Sequence, residues 1–444
     1  MICIDMEPFR IVEREGFKQF VSVAVLGYKL PSRDDLREKL LPSKVSALQS
    51  KISASLSGAE HVCISLDVWT SPTMEGYLGV EATFVDNDFT AHTFLLTFTR
   101  LTGSHTAARI RSEYDAALVQ WNISDKVLLV VTDNASSMIK AFAFPGWGTE
   151  ADEDADILGE RPESLAKELL SEFHKLEQFR FGCAAHNLQL AVKDSIRQLG
   201  MMRKLASTFA DHSELADTLH ACKKTKLSTY ELRLITDLIE LLSPVEEASE
   251  LLQKRHETAG LLLPALRNID VSIAGILSKA TFLCRDMANG LKASIQKRFA
   301  GAWSDSIFLM ATLLDPRFKS SWCPAATAEE MHSAVLGRGP LLLGHGSTSS
   351  VPTVDPEPGS IGGEVSLYLA EGTCGDAITP LKFWKANAAR FPLLARVARA
   401  VFSVNATSAD VERVFSTASL IMTAKRNRLS STSFEQLMFM KRNV

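Results

Sequence analysis

The run Lys126–Thr132 (KVLLVVT) constrains the fold of this chain more than any other stretch. Its unbroken apolar residues leave no polar face to turn toward water, so it reads as a strand buried on both sides, as in the interior of a parallel or mixed sheet. Asp133 and Asn134 follow at once, and Asn134–Phe142 reads as a helix start. A doubly covered strand running into a helix belongs to an α/β core. In open sheets of that kind, functional groups gather at the carboxyl ends of the strands, where Asp133 stands.

Upstream, the hydrophobic period changes from helical to strand-like. Residues 1–57 read as helical, with FKQFVSVAVLGYKL carrying apolar residues at helical spacing and Ser32 and Asp34 able to cap LREKLLPSKVSALQSKISASL. His61–Val68 (HVCISLDV), Gly76–Val85 (GYLGVEATFV) and Thr90–Thr99 (TAHTFLLTFT) then read as three consecutive strands of an antiparallel meander. Asn87-Asp88 supplies turn chemistry between the last two. On this reading Asp67 ends the first strand, as Asp133 ends the fourth. A helix fits TAARIRSEYDAALVQWN, with Ile110, Tyr114, Leu118 and Trp121 on one stripe, and His105 stands at its start.

Further along, Thr149–Glu163 is acidic and reads as an exposed loop. A helix over 164–177, a strand at Phe179–Cys183 and a helix over 186–198 follow. The order β-β-β-α-β-α-β-α is that of a ribonuclease-H-like sheet. Residues 201–336 read as an all-helical insertion, and 337–375, rich in Gly, Pro and Ser, as a flexible linker. Helices resume at Pro380. The expected organisation is a helical segment 1–57, a first core part 58–200, the insertion 201–336, the linker 337–375 and a C-terminal region 376–444.

The chain of 444 residues has a formal charge of -4, but residues 380–444 hold eleven Lys or Arg against three acids. That excess suits a polyanionic partner or a solvated face. Seven scattered cysteines fit a reducing compartment, not a disulfide framework. No uninterrupted apolar run approaches the length of a membrane span, and the N-terminus has no signal-peptide pattern, so a soluble intracellular protein is expected.

Two carboxylates at the ends of adjacent strands repel each other unless a cation lies between them. Hard oxygen donors of this kind suit Mg²⁺ or Mn²⁺. The alternative is that Asp67 and Asp133 each cap the turn that follows. The words around them bear on that choice. SLDVWTS, YLGVEATFVD, GSHTAARI, VVTDNASSM, CAAHNLQL, LDPRFK and SADVERVFSTASLI…KRNRLS stand in order from about residue 60 to the C-terminus. Together they resemble the hAT superfamily of DNA transposases.

The resemblance implies a ribonuclease-H-like catalytic core split by a helical insertion, and a C-terminal helical dimerisation region. By motif match the family's catalytic, metal-holding carboxylates fall on Asp67, Asp133 and Glu412. The implied cofactor is Mg²⁺ or Mn²⁺, the implied partners are DNA and a second copy of the chain, and the implied location is the nucleus. No membrane and no small-molecule substrate are expected. Cys183-x-x-His186 reads as a buried or site-shaping pair, a DNA contact or half a zinc site. Trp69 reads as a packing residue or a wall of the site. Arg413 with Lys425, Arg426 and Arg428 forms a basic group for phosphate contact, for nuclear import or for solvation. Phe383, Trp384, Phe391, Leu394, Val397, Val401 and Phe402 supply apolar surface for the core or for a subunit interface.

Three features depart from the family pattern. Residues before 57 lack the cysteine and histidine spacing of a BED-type zinc finger, Asn405 stands where a Pro is usual, and 337–363 is short and degenerate. They suit a fragment, an incomplete gene product or a host-adopted derivative.

Overall fold

The computed structural model describes all residues except 104, 143–179, 198–228, 257, 280–282, 344–358, 376 and 423–428. The acidic loop and helix expected over 149–177 lie outside the described residues, as do Lys425, Arg426 and Arg428. The chain divides into two compact units. The first comprises Met1–Phe84, His92–Phe181 and Asp410–Val444, the second Val85–Ala91 and Gly182–Ala409.

The first unit is built on a five-stranded mixed sheet of order β3-β2-β1-β4-β5, with β1 Val62–Thr70, β2 Gly76–Val85, β3 Ala91–Leu101, β4 Val127–Thr132 and β5 Arg180–Gly182. Strand β1 pairs antiparallel with β2 and parallel with β4, so the β4 run predicted to be covered on both faces is an inner strand. Val62, Ile64 and Leu66 of β1 point to one face with Leu78, Val80 and Ala82 of β2. The helix α1 (Glu15–Ala24) precedes α2 (Leu41–Ser57), whose Val45, Ile52 and Leu56 join this core. So do Ile110, Tyr114, Leu118 and Trp121 of α3 (Ala107–Trp121), the stripe read from the sequence. Thr106 caps α3 by accepting from the Arg109 amide, and Asn122 ends it in the left-handed conformation. Lys126 donates to the Leu56 and Ser57 carbonyls at 3.0 and 2.9 Å, placing a cation on the negative end of α2. The short helix α4 (Ser136–Phe142) follows β4.

In the second unit every described element from α5 (Ala184–Arg197) onward is helical. These are α6 (Thr229–Leu252), α7 (Ala259–Leu277), α8 (Arg285–Arg298), α9 (Ser306–Leu313), α10 (Ala325–Leu342), α11 (Ile361–Ala370), α12 (Pro380–Asn387) and α13 (Pro392–Phe402), with a short turn of helix at Ala300–Ser304. Helix α7 is long and apolar enough by composition to cross a membrane. Leu262, Leu263, Leu266, Ile269 and Ile273 are buried, however, and Gly260 lets the α9 backbone approach closely, so α7 is a core helix.

Residues 337–342 and 361–370, expected within a flexible linker, are helical. Their Gly content misled the reading: Gly339 is where Ile361 packs close to α10, and Ser360 caps α11 through the Gly363 amide. The Glu364 carboxylate accepts from the Leu393 and Leu394 amides at the start of α13, satisfying donors that a helix N-terminus leaves open. Phe383, Trp384, Phe391, Leu394, Val397, Val401 and Phe402 are all buried within the chain, which settles their role as core and not as an exposed subunit face. Trp384 donates to the Leu314 carbonyl at 2.8 Å, and Tyr368, Phe383 and Phe391 ring it.

The first unit is completed from the far end of the chain by α14 (Ala409–Ile421) and α15 (Ser431–Asn443). Val411, Val414, Phe415, Ala418 and Ile421 pack with Phe434 and Met438 on Tyr77, Leu95 and Phe98, the second face of the sheet. Helix α15 also guards the edge strand β3. Asn443 accepts from the Leu95 amide and donates to its carbonyl, each at 2.9 Å, and Glu435 accepts from the Arg100 amide at 3.0 Å.

Replacing Trp384 by Ala tests the core assignment. Unfolding in urea is expected to show a loss of about 3–5 kcal/mol, whereas an interface residue would leave monomer stability almost unaltered.

Candidate functional site

Asp67 lies inside β1, three residues before its end, and not at the end as the sequence suggested. Trp69 and Thr70 extend the strand by pairing with Tyr77 and Gly76, and Trp69 packs on Tyr77 and stacks on Phe415 at 6.2 Å. Packing is therefore the observed role of Trp69. On its other side Asp67 meets a shorter neighbour. Ser65 pairs with Val131 in the parallel β1–β4 register, and two residues further on that register sets Asp67 beside Asp133, just past the end of β4. Both carboxylates thus stand at the carboxyl end of β4, one strand spacing apart.

Each aspartate also makes a local bond. Asp67 accepts from the Val68 amide at 2.7 Å, and Asp133 accepts from the Ala135 amide at 3.2 Å, the turn-capping role weighed from the sequence. Asp67 is buried and Asp133 half-buried.

The third carboxylate arrives on α14. Gly79 of β2 is the register partner of Asp67, so a side chain there would point to the same face as Asp67. A Cβ at 79 would fall 2.8 Å from Val411 and 3.1 Å from Phe415, so only glycine lets α14 settle this close to the sheet. Glu412, next to Val411, is half-buried on the first turn of that helix. Asp67 and Asp133 thus lie near the end of β4, and Glu412 lies on the helix seated over β2, all three within the first unit. Carboxylate oxygens are hard donors of the kind that Mg²⁺ or Mn²⁺ takes.

Two arginines that the sequence reading passed over organise this region. Arg180 of β5 donates to the Thr132 hydroxyl at 2.8 Å, to the Asp133 carbonyl at 2.5 Å and to the Asn134 side chain at 2.8 Å. Burial pulls its guanidinium below the ordinary value, while the Asp133 charge works against that. Arg442 near the end of α15 pairs with Glu81 at 2.6 Å and reaches Asp410 at 3.5 Å. A lone charged residue in the otherwise apolar alternation of GYLGVEATFV was the available signal for Glu81; nothing in the sequence marked Arg180 or Arg442.

The other predicted residues make structural contacts of their own. Arg413 is exposed and pairs with Asp410 at 2.8 Å. In the second unit Cys183 is fully buried. Its sulfur accepts from the Ser408 amide, and the Ala184 amide donates to the Ala406 carbonyl, so the Cys183-x-x-His186 turn is pinned to the 406–408 backbone. His186, half-buried, lies one turn further along α5. His105 packs directly over Gly76, just before the Thr106 cap.

Residues 65–144, which hold Asp67 and Asp133, match the ZBED1 RNase-like domain. Residues 364–444, which hold Glu412, match the hAT family C-terminal dimerisation region. Zinc finger BED domain-containing protein 4 of Homo sapiens is 21% identical over 502 residues, covering 100% of this chain and 43% of that protein. The zinc finger BED domain-containing protein RICESLEEPER 3 of Oryza sativa subsp. japonica is 18% identical over 479 residues, or 91% of this chain and 63% of that one. A putative AC transposase of Zea mays is 27% identical over 130 residues, 29% of this chain and 16% of its own length. The chain spans less than two thirds of each of these relatives. An RNase-like segment and a hAT dimerisation region together mark a transposase-like chain. Over these two segments the chain is similar to hAT-family transposases and their zinc finger BED relatives.

Arg180→Met tests the Asp133 clamp. The loss of its hydrogen bonds is expected to lower stability by about 1–3 kcal/mol, with faster amide exchange concentrated at residues 132–136. Unchanged exchange there would remove Arg180 from the account of the site.

Proposed function

We propose that this hAT-derived protein is a DNA-directed phosphodiester enzyme whose metal site is formed by Asp67, Asp133 and Glu412. One observation supports the reading: the β1–β4 register, continued two residues past Ser65 and Val131, runs to Asp67 and Asp133, and α14, which carries Glu412, is seated on β2 at Gly79, the partner of Asp67. Carboxylates brought together in a partly buried place repel one another unless cations neutralise them. A ribonuclease-H-like core is the matching fold proposal, supported by the strand order and by the name of the domain matched at 65–144.

Mg²⁺ or Mn²⁺ ions held by these residues would activate a water or hydroxyl nucleophile and stabilise the leaving oxygen of a phosphodiester. The chain's own contribution is positional. Strands β1 and β4 fix two carboxylates, Arg180 holds the Asp133 turn, and α14 presents the third. Lys425, Arg426 and Arg428, together with Arg413, supply the basic group proposed to meet DNA phosphates. Cys183 and His186 are proposed to act near the strand being handled. A homodimer through region 364–444, and a nuclear location, complete the proposal.

A second reading has its own support. Relatives include zinc finger BED domain-containing proteins and a putative transcriptional regulator, tpeD, of Talaromyces stipitatus. On this reading the protein is a dimeric, DNA- or chromatin-associated nuclear regulator that does not cut.

Incubation with a DNA hairpin or flank substrate and Mn²⁺, run beside sedimentation of the same sample, separates the two. The enzyme reading predicts cleavage by a dimer and a loss of at least about a thousandfold in Asp133→Ala. A dimer that binds DNA and leaves it intact favours the regulator, and equal cleavage by wild type and Asp133→Ala contradicts the metal site.

A further inference from the structure

Glu81 sits in the middle of β2, paired in register with Ser65 and one step from the Asp67–Gly79 pair, on the face that α14 covers. Its side chain is 0% exposed, a costly place for a carboxylate without a partner. The partner comes from more than 350 positions away. Arg442 Nε lies 2.6 Å from Glu81 Oε1, and its Nη2 lies 3.5 Å from Asp410 Oδ1 on the first turn of α14. Asp410 in turn accepts from Arg413 at 2.8 Å. One guanidinium therefore bridges the sheet beneath the site and the helix above it. Glu412 is the second residue after Asp410, on the same turn.

We propose that Arg442 is a positioning residue for the carboxylate site, fixing the first turn of α14 to β2, the strand paired with that of Asp67, and so fixing Glu412. The inference rests on the reading of Asp67, Asp133 and Glu412 as a metal site. Arg442 touches neither metal nor substrate; it acts through Asp410 and Glu81. A planar guanidinium can donate to Glu81 through Nε while its Nη2 end stays within charge contact of Asp410, and a lysine ammonium at the same place is a single point. A neutral pair in place of Glu81 and Arg442 removes the tie without stranding a buried charge.

The full chain is tested as wild type, Arg442→Lys, and the double variant Glu81→Gln with Arg442→Met. Amide exchange is followed without metal, and Mn²⁺ affinity is measured by titration calorimetry. In the double variant, exchange over residues 410–416 is expected to rise about tenfold while β1 and β4 stay protected, and Mn²⁺ affinity to fall about ten- to a hundredfold. Arg442→Lys is expected to stay folded with an intermediate loss. Residues 410–416 as protected in the double variant as in wild type would overturn the proposal, as would a uniform rise in exchange across the whole unit in both variants. If α14 loosens locally but wild type takes up no Mn²⁺, the tie stands and the metal-site reading fails.

Discussion

The close seating of α14 on β2 at Gly79 is the contact on which the rest of the candidate site depends. With any side chain at 79, Val411 and Phe415 would be pushed off the sheet, and Glu412 would move with them. The seating is maintained by apolar burial of Val414, Phe415, Ala418 and Ile421 against Tyr77, Leu95 and Phe98. Each large side chain fully buried there contributes about 1.5–3 kcal/mol. Apolar packing of this kind fixes how near the helix lies but resists sliding along the sheet only weakly, because it has no direction. Direction comes from the polar contacts of Arg442, Glu81 and Asp410, and from the Asn443 and Glu435 bonds to β3.

This arrangement gives the C-terminal matched region two structural settings. Its first part, through α13, packs in the helical second unit, where Glu364 ties α11 to α13 and Trp384 fills a fully enclosed place. Its last part, from Asp410, is the second cover of the sheet. A segment named for dimerisation therefore also completes a fold. Removing it would strip one face and one edge of the sheet, so loss of function after truncation would not by itself report on dimer contacts. Breaking the Glu81–Arg442 pair from one side would leave a buried charge, a change worth about 3–5 kcal/mol.

Much of the first unit was legible in the sequence because its signals are local. The apolar run at β4, the alternation of β2 and the α3 stripe each report burial through periodicity, and the structure has all three. Asp67 reads as near a strand end because the apolar run stops at Val68; the pairing of Trp69 and Thr70 with Tyr77 and Gly76 carries the strand further. The helices at 337–342 and 361–370 were hidden by their glycines, of which Gly339 serves close packing against Ile361. Arg180 and Arg442 were invisible for a deeper reason. Each acts on residues from a different strand or helix, and an arginine near a helix C-terminus, as Arg442 is, ordinarily signals only a favourable dipole contact. Glu412 was found through an ordered set of motifs, since a single Glu on a helix carries no such signal.

The central claim is that three carboxylates far apart in sequence share one metal-holding region. Local oxidative cleavage reads that claim directly: Fe²⁺ is loaded in place of Mg²⁺, ascorbate and peroxide are added, and the backbone breaks are mapped by mass spectrometry. The account predicts breaks clustered near residues 67, 133 and 412 together, all suppressed by excess Mg²⁺. Breaks scattered over exposed acids, or confined to one of the three segments, would contradict it.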